Sequence, residues 1–225
     1  MQNPKPSSFQ RWFFAVLSVL ALASLFLAVL VMGSRVHFGE QGRSGVGSSV
    51  ELSELPVLNQ LPAFEFTDQD GAHFGSAQLK GRLWVANFIF TSCPTVCPAF
   101  TAQMKGLQGR LLEGEKRPLL VSFSVDPETD TSAVLKEYAA RHGADSAGWR
   151  FLTGPTETIR SIVVEGFKTS MEPDPSQAGN ILHGSHFVLV DEQMRVRGYY
   201  GAQDADAHDR LLEDIGGLRG LPEAE

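Results

Sequence analysis

Cysteine is nearly absent from this chain: two residues in 225, Cys93 and Cys97. Two are too few for a disulfide-stapled scaffold, so the pair serves chemistry or forms a single bridge. Basic charge is also scarce. Lys and Arg number 19 against 26 Asp and Glu, giving a net charge of −7, and no basic run occurs. Nucleic acid is bound mainly through clustered Lys and Arg on phosphates, so this balance argues against it. Internal repeats are lacking, and low-complexity sequence is confined to one Gly- and Ser-rich stretch. What is present is ordinary globular material, 43% hydrophobic and 20% charged, enough for one well-buried core of roughly 160 residues.

One long apolar run stands apart. Residues 12–32, WFFAVLSVLALASLFLAVLVM, contain no charge, proline or glycine. At helical rise they cover roughly 30 Å, the thickness of a bilayer's hydrocarbon core. Trp12 falls where amphipathic rings favour the interface. A signal peptide has a shorter apolar stretch, about 7–15 residues. No small-residue cleavage site or lipid-accepting cysteine follows Met32. An uncleaved membrane anchor is therefore expected. Lys5, Arg11 and the terminal amine precede it, while Arg35 and Arg43 follow it with Glu40 partly offsetting them. That excess puts the N-terminus inside and the remainder outside. In a bacterium this is the inner membrane, with the soluble part in the periplasm or on the outer face; in an organelle it is the intermembrane side. The expected organisation is a cytoplasmic N-terminus (1–11), the anchor (12–32), a flexible Gly/Ser-rich tether (33–55), one folded domain (56–218) and a short tail (219–225).

Within the domain, Phe64 and Phe66 alternate with polar residues before the turn Asp68-Gln-Asp-Gly71, which predicts a short N-terminal hairpin. LWVANFIF over 83–90 and PLLVSFSV over 118–125 have the length and continuity of strands covered on both faces. Phe100, Met104, Leu107 and Leu111 recur at helical spacing, predicting a helix over 98–112. Further helices are expected over 131–142 and 156–167, a hairpin from 187–190 and 195–200, and a last helix near 205–215. Strand and helix alternate, so an α/β fold with a mixed central sheet flanked by helices follows. A dithiol between the first long strand and its helix makes that fold similar to thioredoxin.

The dithiol segment is Phe90-Thr-Ser-Cys93-Pro-Thr-Val-Cys97-Pro. Pro98 suits the first position of the following helix. Exposed amides and the positive dipole end at a helix start favour a thiolate, so at least one depressed thiol pKa is expected. Two thiolates one turn apart can form a disulfide or share a soft metal ion. Three residues separate them, where thioredoxin-type oxidoreductases have two. Thr is missing three positions before either cysteine, where peroxidatic-cysteine enzymes usually carry it. A bridge closing so small a loop adds little stability through chain entropy. Two cysteines cannot complete a structural zinc site, whereas two thiolates and one imidazole suit copper.

Six histidines are available. His37 lies in the tether and His73 beside the first hairpin. His142 ends a helix, where a cationic ring would complement the dipole, and His208 falls on the last helix with exposure expected. His183 and His186 remain, in Asn180-Ile-Leu-His183-Gly-Ser-His186-Phe-Val-Leu-Val-Asp191. His186 begins a strand and His183 sits in the loop before it. Spacing alone does not choose between them.

From about Pro56 to Ile215 the chain resembles the Sco family, also called SenC. The resemblance rests on the segment from Phe90 to Pro98, on Ser122-Phe-Ser-Val-Asp126-Pro-Glu-Thr-Asp130, and on His183 ahead of Phe187-Val-Leu-Val. Where the family often has a Pro-Asp-Gly turn, this sequence has Asp191-Glu-Gln-Met194. The resemblance implies a membrane-tethered, thioredoxin-like copper protein of cytochrome c oxidase assembly. It implies Cys93, Cys97 and His183 as ligands of one copper per chain, as Cu(I) or Cu(II), with the two cysteines redox-active. It leaves His186 as a neighbour of that site. Asp126 and Asp130 fall on the family's acidic motif, either capping the next helix or serving docking or redox chemistry.

The function implied is copper delivery to the oxidase subunit that builds the dinuclear copper centre. A thiol-disulfide oxidoreductase keeping that subunit's cysteines reduced, or a sensor of copper or redox state, is the alternative. A copper donor and a thiol reductant are the further partners expected. The first function needs His183; the second needs only the cysteines.

Overall fold

The computed structural model describes residues 55–94, 96–111, 117–173, 175 and 181–220. The expected anchor and all but the last residue of the tether lie outside them. Among the described residues no helix is long and apolar enough to cross a membrane.

The order of elements is β1 (Asn59–Gln60), β2 (Glu65–Asp68), β3 (His73–Gly75), α1 (Ser76–Leu79), β4 (Trp84–Ile89), α2 (Val96–Leu111), β5 (Leu119–Ser124), α3 (Ser132–Arg141), β6 (Trp149–Thr153), α4 (Thr156–Arg160), β7 (Met171–Pro173), β8 (Ile181–His183), β9 (His186–Val190), β10 (Arg195–Gly201) and α5 (Ala207–Gly220). Among the described residues eight strands form one mixed sheet in the order β1-β10-β9-β4-β5-β6-β2-β3, and β7 pairs only with β8. β4, β5 and β6 are parallel to one another; β9 and β2 flank them antiparallel.

β4 and β5 are buried at every position, as their nearly continuous apolar runs predicted. Their alternate side chains feed two cores. On one face Trp84, Phe88, Phe123 and Phe167 pack edge to face or tilted. On the other, Val85, Ile89 and Leu120 meet Phe100, Met104 and Leu107 of α2 and Leu211 of α5. The hairpin expected near the start is present as β2–β3, with Asp68 accepting the Asp70 and Ala72 amides inside its turn.

Three expectations are corrected. α2 starts at Val96 rather than Pro98, which puts the proline in the first turn, where no N–H is required. The helix expected over 156–167 is α-helical only to Arg160; Ser161–Gly166 winds as a π-helix, with the Phe167 amide reaching back to the Ile162 carbonyl at 2.8 Å. His183 is not in a loop but ends strand β8, paired with Met171.

The parallel order places the C-terminal ends of β4 and β5 side by side, and the Val125 amide donates to the Ile89 carbonyl at 2.8 Å. The cysteine segment after β4 and the acidic segment after β5 therefore leave the sheet together, where α/β folds commonly bind their ligands.

Candidate metal centre

Cys93 lies in the turn leaving β4, its amide bonded to the Phe90 carbonyl at 3.3 Å. Cys97 is the second residue of α2. Both are buried, Cys97 completely, and no disulfide joins them. The short hairpin β7–β8 brings His183 over the pair: its Nε2 lies 3.5 Å from Cys97 Sγ, and its ring stands edge-on to Phe90 at 5.7 Å between centroids. Cys97 is the common member, in hydrogen-bond contact with Cys93 as well. Among the described residues no three His, Cys, Asp or Glu side chains already stand at metal-coordination spacing. The two thiols and the imidazole nonetheless converge on Cys97, and they are the donor types that soft metals favour. His183 Nδ1 is buried without a hydrogen bond of normal geometry. A buried polar atom of that kind is costly unless something satisfies it.

At least one acidified thiol was expected, and Cys97 is not that one. The Cys97 thiol is not acidified by the start of its helix; burial pushes it up to about 12, with the Phe90 backbone hydrogen bond opposing and Cys93 and Asp130 reinforcing. The reason is magnitude. A helix terminus is worth about 0.3–1 kcal/mol, whereas taking a thiolate wholly out of water shifts a pKa by several units. At neutral pH Cys97 holds its proton. His183 moves down from its ordinary value, chiefly through burial, with the Gly184 backbone partly offsetting it. It is therefore a neutral imidazole at pH 7, the form that ligates metals.

Asp130 resolves the question left by the acidic motif. It does not cap α3; Thr131 does, its hydroxyl accepting the Val134 amide. Asp130 is fully buried and accepts from the Thr91 amide (3.1 Å), the Thr91 hydroxyl (2.5 Å) and the Ser124 hydroxyl (2.7 Å). It ties the cysteine segment to the end of β5. Burial pushes its carboxyl above the usual range despite those donors. Asp126 is half-buried in the same turn, its amide held by Ser124 Oγ at 3.1 Å.

Among the described residues the other histidines have different neighbours. His186 is exposed and faces the Tyr199 ring. His73 is exposed beside Glu65. His142 packs on Tyr138, and burial together with Arg141 lowers its pKa, so it is not the cationic cap expected. His208, expected to be exposed, packs on Phe187 with Nε2 buried. His37 lies outside the described residues.

A mixed sheet with a dithiol at the strand-to-helix junction after its central parallel strand defines a thioredoxin-like dithiol protein. The SCO1/SenC family model matches residues 56–218. The chain belongs to the SCO1/SenC family. A Stutzerimonas stutzeri protein named for copper binding is 30% identical over 193 residues, spanning 84% of this chain and 93% of that one. A SCO1/SenC family lipoprotein from Bacillus anthracis is similar in structure, with TM-score 0.67 and 36% identity over 72% of this chain and 96% of the other. BsSco, described as a member of the Sco family of cytochrome c oxidase assembly proteins with a disulfide switch, superposes with TM-score 0.65 and 34% identity over 73% and 96%.

Proposed function

We propose that this chain is a membrane-anchored copper chaperone. It binds one copper through Cys93, Cys97 and His183 and delivers it to the oxidase subunit during assembly of the dinuclear copper site. The observation that carries this reading is the convergence of Cys93 and His183 on Cys97. The copper-binding name of the S. stutzeri relative and the oxidase-assembly family of BsSco support it.

Copper is the cargo, and each residue has a task in handling it. Thiolates stabilise Cu(I), and an imidazole with open coordination also tolerates Cu(II). Cys97 must give up a tightly held proton as metal arrives, whereas His183 is already neutral. Asp130 fixes the segment that carries Cys93. Val96, half exposed between the cysteines, offers an apolar rim to an acceptor protein. Residues 12–32 confine the domain to the inner membrane, facing the periplasm, and the Bacillus anthracis relative being a lipoprotein supports a membrane-confined role.

The second reading is a thiol-disulfide oxidoreductase, favoured by the disulfide switch of BsSco. Cys93 and Cys97 would close to a disulfide, passing two electrons and two protons to a partner's disulfide, which opens to two thiols. That chemistry does not need His183.

The test is copper titration of the reduced full chain in detergent without oxygen, in wild type and His183→Ala. One tight copper per chain, with the thiolate-to-Cu(II) absorption weakened in His183→Ala, supports the chaperone. Unchanged binding in His183→Ala removes His183 as a ligand. No tight copper in the wild type sinks the chaperone and leaves the oxidoreductase standing.

A further inference from the structure

Among the described residues, the hairpin carrying His183 shares no ladder with the eight-stranded sheet. A lone two-stranded ribbon is marginal in water, so its place over the thiols must be fixed by contacts to the body of the domain. Two are evident on β7. The Met171 side chain is buried in the core beneath. Arg160, the last residue of α4, donates from Nη1 to the Met171 carbonyl at 2.8 Å and from Nη2 to the Glu172 carboxylate. Met171 is the residue paired with His183 across the hairpin. On this side the hairpin is not close-packed. A cleft lined by Val125, Asp126, Arg160, Met171 and Glu172 separates it from the segment after β5, and Arg160 reaches from α4 to the hairpin along that cleft.

We propose that Arg160 is a positioning residue for His183, holding the hairpin at the height that lets the imidazole reach Cys97. The guanidinium suits this task because its planar fork engages two acceptors at fixed geometry. Both acceptors are adjacent residues of one strand, so the fork sets the strand's orientation as well as its distance. A merely structural role, a cation complementing the end of α4, would leave His183 where it is. The ion pair itself is partly exposed on both sides and adds little to global stability, so variants at this position should fold.

The inference rests on the reading of His183 as a copper ligand for one arm of its test only. In the reduced full chain without metal, the contact between the His183 and Phe90 rings is followed by nuclear Overhauser effects in wild type, Arg160→Gln and Arg160→Lys. It should be lost or much weakened in Arg160→Gln and largely kept in Arg160→Lys, which retains a donor for the Met171 carbonyl. In the second arm, copper affinity is measured in wild type, Arg160→Gln, His183→Ala and the double variant. Arg160→Gln should weaken binding by about 10–100-fold, the usual effect of losing a residue that orients a ligand, and should cost nothing further in the His183→Ala background. An intact ring contact in Arg160→Gln overturns the proposal, as does an equal loss of affinity in both backgrounds. If the wild type takes up no copper, the chaperone reading fails, and the ring contact still decides the role of Arg160.

Discussion

Cys97 Sγ and His183 Nε2, 86 residues apart in sequence, lie 3.5 Å apart in the fold. Burial holds the thiol protonated and leaves the imidazole neutral, so the contact joins a thiol to a ring nitrogen, with the donor set by the imidazole tautomer. A metal that takes the sulfur must displace that proton. Copper uptake at pH 7 should therefore release at least one proton per ion, because ligating thiols bind as thiolates. Calorimetric titrations in buffers of different ionisation enthalpy measure the number. Zero protons released would contradict a Cys97-ligated copper, and Cys97→Ser should lower the count.

The buried thiol also shapes alkaline stability. Cys97 rises from 9.0 to about 12 in the fold, and Tyr138, buried against the Thr101 hydroxyl, rises from 10.0 to about 12. A raised folded pKa means that the native state holds its proton more tightly than the unfolded chain. The stability this provides is complete below about pH 9 and is lost as pH climbs towards 12. Urea unfolding of the metal-free, reduced chain should show a falling midpoint between pH 8 and pH 11. The fall should be smaller in Cys97→Ala, with the Tyr138 share remaining. An equal fall in both proteins would mean that Cys97 titrates near its ordinary value.

Asp130→Ala should destabilise the fold through the donors it strands. The Thr91 amide, the Thr91 hydroxyl and the Ser124 hydroxyl all lose their acceptor in a water-poor interior. Each buried donor left unsatisfied costs roughly 1–3 kcal/mol. Some relief comes from no longer burying a carboxyl whose pKa burial has raised, so a net loss of about 1–3 kcal/mol in urea unfolding is expected. An unchanged midpoint would show that these bonds are replaced by water at no cost.

Much of this architecture is legible in the sequence where one physical signal dominates. The β4 and β5 runs are apolar at nearly every position because both faces are covered, so they declare themselves as central strands. The α2 stripe of Phe100, Met104, Leu107 and Leu111 is buried as its spacing requires. β6 was missed. Trp149–Thr153 is short and carries Arg150 at a half-exposed position, and its strand character comes from pairing with β5 and β2 rather than from its own pattern. The β7–β8 hairpin was missed because a three-residue strand has no period to read. The candidate ligands Cys93, Cys97 and His183 come from the family resemblance, while the burial around Cys97 leaves no mark in the sequence. Sequence locates Cys97 near a helix start, and only the packing above it reveals that burial outweighs the dipole.

Gly184, next to His183, is a position where backbone must pass close to a side chain. A Cβ added there would sit 2.1 Å from Thr169 Oγ1 and 3.3 Å from Thr169 Cβ and His186 Nδ1. Thr169 is itself held, its amide donating to the Val163 carbonyl at 3.1 Å at the end of the π-helix. Gly184→Ala is therefore expected to push the β8 end, and with it the His183 ring, away from the body of the domain. The overpacking should cost about 1–3 kcal/mol and weaken the His183–Phe90 ring contact. Thr169→Ala removes the hydroxyl that collides and leaves only contacts a few tenths of an ångström too tight. The double variant Thr169→Ala/Gly184→Ala should recover most of both losses, read by urea unfolding and by ring-proton nuclear Overhauser effects. If Thr169→Ala gives no rescue, the strain lies elsewhere, and the close approach of Gly184 to Thr169 does not set the height of His183 above Cys97.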